Sequence, residues 1–246
     1  MGGRPWRKPL QGRKRERGTL ILAFATSALF AFLGITSGSA QEHDWERSLE
    51  AQQFEQRAEG KAADLVRTNG TGTDLALKAK LLRMGKSDQD IRNRMPSLPS
   101  SQQSILIPKM QKADAKLTQP LKFIVEAKGW RTIALVGIKA SQAAALILIH
   151  SPDHDFQRNL IPEMQRLVER KKIVGTDIAT LIDKVLIAEG KPQRFGTHFS
   201  WKDNGPMVMD AVEDAEHLDQ RREMFSLPPM SLYKHMMADM YHREVQ

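Results

Sequence analysis

No cysteine occurs among the 246 residues. That absence excludes disulfides, thiolate nucleophiles and cysteine-based zinc sites, so an oxidising compartment would neither staple nor damage the chain. Stability has to come from a packed core, for which about two hundred residues suffice. Three further templates are missing: a phosphate loop, a Gly-x-Gly-x-x-Gly dinucleotide turn and a Gly-x-Ser-x-Gly nucleophile elbow. Motif spacing alone therefore names no reaction and requires no cofactor. The methionines near the C-terminus, Met230, Met236, Met237 and Met240, read as a packed helix face rather than a ligand set.

Net charge is also scarce once the first forty residues are set aside. Of the 37 basic and 29 acidic residues, seven basic ones and Glu16 lie in that segment, which leaves 30 against 28, or +2. A near-neutral remainder disfavours nucleic acid as a partner, although the whole chain carries +8. The basic residues Arg4, Arg7, Lys8, Arg13, Lys14, Arg15 and Arg17 precede an uncharged run from Gly18 to Ala40. This is the form of a secretory leader, with Gly38-Ser39-Ala40 as the small residues before a predicted cleavage. An uncleaved anchor over residues 19–35 is the alternative, and it would be the only membrane contact. Either way the domain is expected outside the cytoplasm, periplasmic or extracellular, or held at the inner membrane. No two arginines adjoin in the leader, so the export route for folded proteins is not indicated.

The pattern along the chain predicts a mainly α protein, a single compact helical domain over residues 73–246 with one small β-hairpin near residues 193–209. Residues 41–72 are polar and end in the turn signal Asn69-Gly70-Thr71-Gly72, so they are expected to be mobile or loosely docked. Asp74 caps a predicted helix that stops at Gly85, with a second cap at Ser87 to Asp90 and a limit at Pro96 and Pro99. A longer helix runs from about Ser101 to Lys128, kinked or divided at Pro120. Ala143 to His150 is apolar enough to be buried on several sides. Ser151-Pro152 has the form of a helix start, cap then proline. Ile178, Leu181, Ile182, Val185 and Leu186 make one apolar stripe of a helix that Gly190 closes. Aromatics at Phe195, Phe199 and Trp201, followed by Asn204-Gly205, predict the hairpin. Two short helices, from Glu213 and from Met230, complete the domain.

Polar residues that invite chemistry sit at the joints. His150, Asp153, His154 and Asp155 gather at one helix junction, a density that suits proton transfer or a divalent metal held by His150 and His154. The paired-histidine motif of zinc proteases is excluded, because Ser151-Pro152 breaks the helix between them and no Glu follows His150. Asp153 and Asp155 also suit a helix N-terminus for electrostatic reasons alone. Asp183 flanks an apolar stripe, and on a strand Gln193 and Thr197 would share one face while Arg194 and His198 take the other. Asp219, Arg221 and Arg222 are either a solvated run or an anion-binding and hairpin-locking group.

Taken in order, Asp88-Gln89 with Arg92, Gly129-Trp130, Val136-Gly137, His150 with Asp153-His154-Asp155-Phe156-Gln157, Leu181-Ile182-Asp183-Lys184-Val185 and Gly190-Lys191-Pro192-Gln193-Arg194-Phe195-Gly196-Thr197 resemble the bacterial family called domain of unknown function 6624. The likeness continues to Arg222 and Leu227-Pro228. It implies a shared helical fold and a shared polar cluster, and it implies no particular activity. The family pattern has Tyr at the position of Phe195, Gln at that of His198 and Arg at that of Lys184. Loss of the phenol removes one acid or hydrogen-bond donor.

Two readings follow. In one, an exported hydrolase-like enzyme uses His150, Asp183 and Gln193 in catalysis and binds substrate through Asp153, Thr197, His198 and Arg222. In the other, a non-enzymatic extracytoplasmic binding or scaffold domain uses the same polar residues to tie the hairpin to the helices.

Overall fold

The computed structural model describes residues 48–94, 100–202 and 205–246. The predicted leader, the prolines Pro96 and Pro99, and Asn204 lie outside the described residues.

Helix α1, Leu49–Asn69, opens on Ser48, whose hydroxyl accepts from the Ala51 amide at 3.1 Å. The loose docking expected for this segment is not what is found. Ala51 and Phe54 are buried in a cluster with Phe199, Met207, Leu232 and Tyr233. Two inward positions one turn apart are enough for this, and they are invisible in an average over a polar segment.

Asp74 caps α2, Leu75–Arg92, by accepting from the Leu77 amide at 2.9 Å. The helix does not stop at Gly85 and no second cap forms. Gly85 lies inside it because α5 passes close by: a β-carbon there would come 2.7 Å from that of Ala143. The glycine serves helix–helix approach rather than termination. An unbroken α2 carries Leu81, Met84, Asp88 and Arg92 around to one buried face.

Helix α3, Ser100–Lys128, continues through Pro108 and Pro120. A short α4, Ile133–Val136, leads through Gly137 into α5, Ile138–His150, which is buried continuously from Ala140 to His150. Helix α6, His154–Glu169, is capped by Asp153 rather than Ser151, and α7, Gly175–Ala188, carries the predicted apolar stripe into the core. Helix α5 forms the centre, with α2, α3 and α7 packed around it and α6 against α7.

Strands β1, Phe199–Ser200, and β2, Val208–Met209, pair antiparallel, Phe199 opposite Met209. Residues 193–198 are a loop, touched only by an isolated bridge from Gln193 to Val212. The two-faced strand expected there does not form. A 3-10 turn at Ala215–His217, α8 at Leu218–Met224 and α9 at Met230–Tyr241 complete the chain. Met236 and Met237 are buried, as a packed helix face requires. Among the described residues, no helix is long and apolar enough to cross a membrane.

Candidate active site

Four helices bring ionisable side chains together in the core. His150, the last residue of α5, places Nδ1 3.0 Å from both carboxylate oxygens of Asp88 on α2. Asp88 also accepts from Arg92 Nη1 at 2.9 Å and from Gln89 Nε2 at 2.6 Å. Arg92 reaches across to Asp114 on α3, Nη2 to Oδ1 at 2.7 Å, so one guanidinium joins two carboxylates. Side-chain exposure is 0% for Asp88, 3% for Arg92 and 12% for Asp114, which puts Asp114 nearest to solvent. From α7, Lys184 donates to the carbonyls of Ile149 and Ser151 at the end of α5. A cation at that end complements the helix dipole.

The spacing of α2 and α3 contains this cluster. Asp88 falls in register with Leu81 and Met84, and Asp114 with Met110, Leu117 and Leu121, so each is a carboxylate set in an apolar stripe. Asp114 was recognisable from that signal alone.

Asp183 and Gln193 do not join His150. Asp183 Oδ1 accepts from the amides of Arg194 at 2.7 Å and Phe195 at 2.9 Å. Its Oδ2 accepts from the Thr197 amide at 3.0 Å and the Thr197 hydroxyl at 2.8 Å. Gln193 donates to the carbonyls of His198 and Asp210 and accepts from the His198 amide. Both side chains are fully buried and fold the 193–198 loop around themselves. Arg222 holds the same loop, donating to the carbonyls of Phe195, Gly196 and Pro228 and lying 4.6 Å over the Tyr233 ring. Phe195 packs at a tilt against Phe225, centroids 4.6 Å apart. The proposed catalytic trio of His150, Asp183 and Gln193 is therefore corrected to a clamp plus a separate His150 cluster.

Asp153 and His154 are also engaged. Asp153 divides its oxygens between the Phe156 amide at 2.9 Å and Lys122 at 2.7 Å, which makes it a cap and an ion-pair partner rather than a substrate ligand. His154 Nδ1 lies 3.1 Å from Gln157 Oε1. The described residues with metal-ligand spacing are Asp88, Asp114 and His150, without His154. A divalent cation does not fit them as placed, because Arg92 already neutralises both carboxylates from between them. The pairing of His150 with His154 around a metal is corrected accordingly.

The electrostatics follow from burial and this pairing. Burial drives His150 below the usual imidazole range, with Asp88 opposing and Arg92 reinforcing, so the ring is neutral near pH 7. Burial raises Asp88, but His150, Arg92 and Gln89 together outweigh it and hold the carboxyl below its ordinary value. For Asp114, burial prevails over Arg92 and the shift is upward. Burial pushes Lys184 down to about 8. His198 is pushed down to about 3, by burial first and by the charge of Lys184 second.

A depressed histidine stabilises the fold above its unfolded value and loses that contribution as pH falls, because only the unfolded chain takes up the proton. For His198 the window runs from 6.5 down to about 3. Between pH 7.5 and pH 5 the wild type should lose about 2 kcal/mol more unfolding free energy than His198→Gln. Urea unfolding at the two pH values reads the difference; equal losses would show that the ring is not held neutral.

The family of unknown function DUF6624 matches residues 75–246. The chain belongs to DUF6624. The matched region begins at the first residue of α2 and takes in the His150 cluster, the Asp183 clamp and Arg222. Helix α1 lies outside it, although its Phe54 packs on residues that lie inside it. No curated protein and no solved structure matches the chain. A groove between α1 and the α8–α9 region, lined by Phe54, Arg57, Lys61, Asp219 and Glu223, holds none of the cluster residues. Buried charge, not the size of a depression, selects the site in this DUF6624 member.

Proposed function

We propose that this DUF6624 chain is an exported, hydrolase-like enzyme in which His150 acts as general base and Asp88 orients it. The observation that carries the reading is the contact of His150 Nδ1 with both oxygens of a fully buried, ionised carboxylate. Such a carboxylate holds the proton on Nδ1 and leaves Nε2 as the basic nitrogen. Nε2 would take a proton from water as the water oxygen bonds to the electrophilic centre of the substrate. The imidazolium would then return the proton to the leaving group. Asp88 stays ionised throughout, stabilised by Arg92. A fold seeking stability alone gains little from so many buried charges, since apolar residues of similar volume often replace buried ion pairs at no loss.

The test is turnover of a panel of esters, amides, phosphoesters and glycosides by the purified chain. His150→Ala should lower any activity found by at least about 10²-fold, and Asp88→Asn should do likewise with the fold retained. Full activity in a folded His150→Ala protein would sink the proposal. Export is read separately, by the N-terminus of the protein recovered outside the cytoplasm; a start at Gln41 is expected. The non-enzymatic reading draws on one observation, that Asp183, Gln193 and Arg222 are spent on the backbone of one loop. It predicts ligand-induced stabilisation with no turnover.

A further inference from the structure

Between α1 and the stretch from α8 to the start of α9 the packing leaves a cavity of about 340 Å³. Small-molecule sites begin at about this size. Phe54, Leu227 and Pro229 give it an apolar lining, and its charged lining is divided by helix. Arg57 and Lys61, four residues apart on α1, supply the positive wall, and Asp219 and Glu223, four apart on α8, supply the negative one. That spacing puts both members of each pair on one helix face, where like charges repel unless a counter-charge meets them.

The two walls do not neutralise each other. Lys61 Nζ donates to the backbone carbonyl of Glu223 at 3.4 Å, not to its carboxylate, and Asp219 Oδ1 accepts from the Met230 amide at 2.8 Å. The side chains of Arg57 and Glu223 have no ion-pair partner among the described residues, and no nitrogen of either cation comes within 4.0 Å of either carboxylate. A smaller cavity of about 60 Å³ adjoins this one, sharing Phe54, Ala58, Lys61 and Ser226 with it. Beyond those residues its lining is largely apolar, with Leu65, Ile138 and Val174. The whole groove is therefore a charged span of both signs with an apolar recess beside it.

We infer that this groove binds a short apolar peptide of two or three residues with both ends free. Its carboxylate pairs with Arg57 and Lys61, its ammonium with Glu223 and Asp219, and an apolar side chain enters the recess. A simple anion would meet one wall and leave the other repelling itself. A single amino acid carries both charges on one carbon, whereas the walls stand on separate helices further apart than an ion pair; each added residue of extended chain lengthens the reach by about 3.5 Å. The groove shares no residue with the His150 cluster, so the inference is independent of the acid–base reading. One wall is α1, outside the matched residues, and the other lies inside them, so the bound peptide holds α1 to the rest of the domain.

The experiment is calorimetric titration of the full chain with leucyl-leucine, with its N-acetyl and C-amide derivatives, and with free leucine. Each blocked peptide should bind about tenfold more weakly than the free one, since each lacks one charge-assisted contact. Free leucine should be weaker still. Two variants then locate the ends, and both replace exposed side chains, so the fold is expected to persist. Arg57→Gln should weaken leucyl-leucine about tenfold and leave the C-amide, which has no carboxylate, unchanged. Glu223→Gln should do the same to the free peptide and leave the N-acetyl derivative unchanged. Blocked peptides or free leucine binding as tightly as leucyl-leucine would overturn the inference, as would variants that weaken every ligand equally. No saturable binding up to about 1 mM peptide would also overturn it. The ligand series is read on the wild type and does not depend on the folding of any variant.

Discussion

Asp183→Ala should lower the unfolding free energy by at least about 4 kcal/mol, enough to unfold a marginal domain at 37 °C. The carboxylate accepts from the amides of Arg194, Phe195 and Thr197 and from the Thr197 hydroxyl. Truncation leaves the buried amides of Phe195 and Thr197 without their acceptor, at about 1–3 kcal/mol each, strips the half-buried Arg194 amide as well, and opens a cavity beneath the loop. Asparagine is no remedy, because its NH₂ would face donors. Thermal or urea unfolding followed by circular dichroism measures the effect, with Tm expected to fall by roughly 10 °C. A loss below about 1 kcal/mol would mean that Gln193 and Arg222 hold the loop without Asp183.

Arg92→Met should cost about 3–5 kcal/mol at pH 7.5, the range for removing one partner of a buried ion pair. Here the vacated cation joined two carboxylates, Asp88 and Asp114, and both stay in the core. The pH dependence of this loss has a definite sign. Without the guanidinium, the folded carboxyls rise above their unfolded value, so the folded variant binds the additional protons and recovers stability as pH falls. In the wild type Asp88 is depressed, so its contribution stays intact over this range and is lost only as pH falls below its unfolded value. The gap between the two proteins should therefore narrow from pH 7.5 to pH 5. Adding Asp88→Asn to Arg92→Met should restore part of the loss at pH 7.5, because it removes one of the uncompensated charges. A gap that widens on acidification would contradict the assignment of Arg92 as the neutralising group.

The site was legible in pieces and not in its pairing. His150 stood out as a polar end on an apolar helix, whereas Asp88 was read as part of a second cap and, with Gln89 and Arg92, as part of the family resemblance. Their convergence required α2 to run unbroken, and Gly85 reads locally as a stop. Its actual reason is Ala143, 58 residues further along the chain, which no local rule can supply. Asp183 looked like a flank carboxylate available for chemistry. Its saturation by three amides of a loop ten and more residues away became visible only when the chain folded back. The 193–198 segment was read as a strand from its alternating aromatics, but the buried carboxylate offered its amides better partners than a second strand would have.

By itself the sequence determined the helical character, the Asp74 cap, the apolar stripe of α7, the absence of thiol chemistry and the near-neutral charge beyond residue 40. Each is a property of composition or of spacing within one or two turns, where local geometry suffices. Tertiary structure alone decided that Arg92 joins Asp88 to Asp114, that Asp183 is a loop clamp, and that His198 Nε2 is buried without a hydrogen-bond partner among the described residues. Those outcomes depend on which buried donor finds which acceptor across distant segments, and burial makes each such match compulsory.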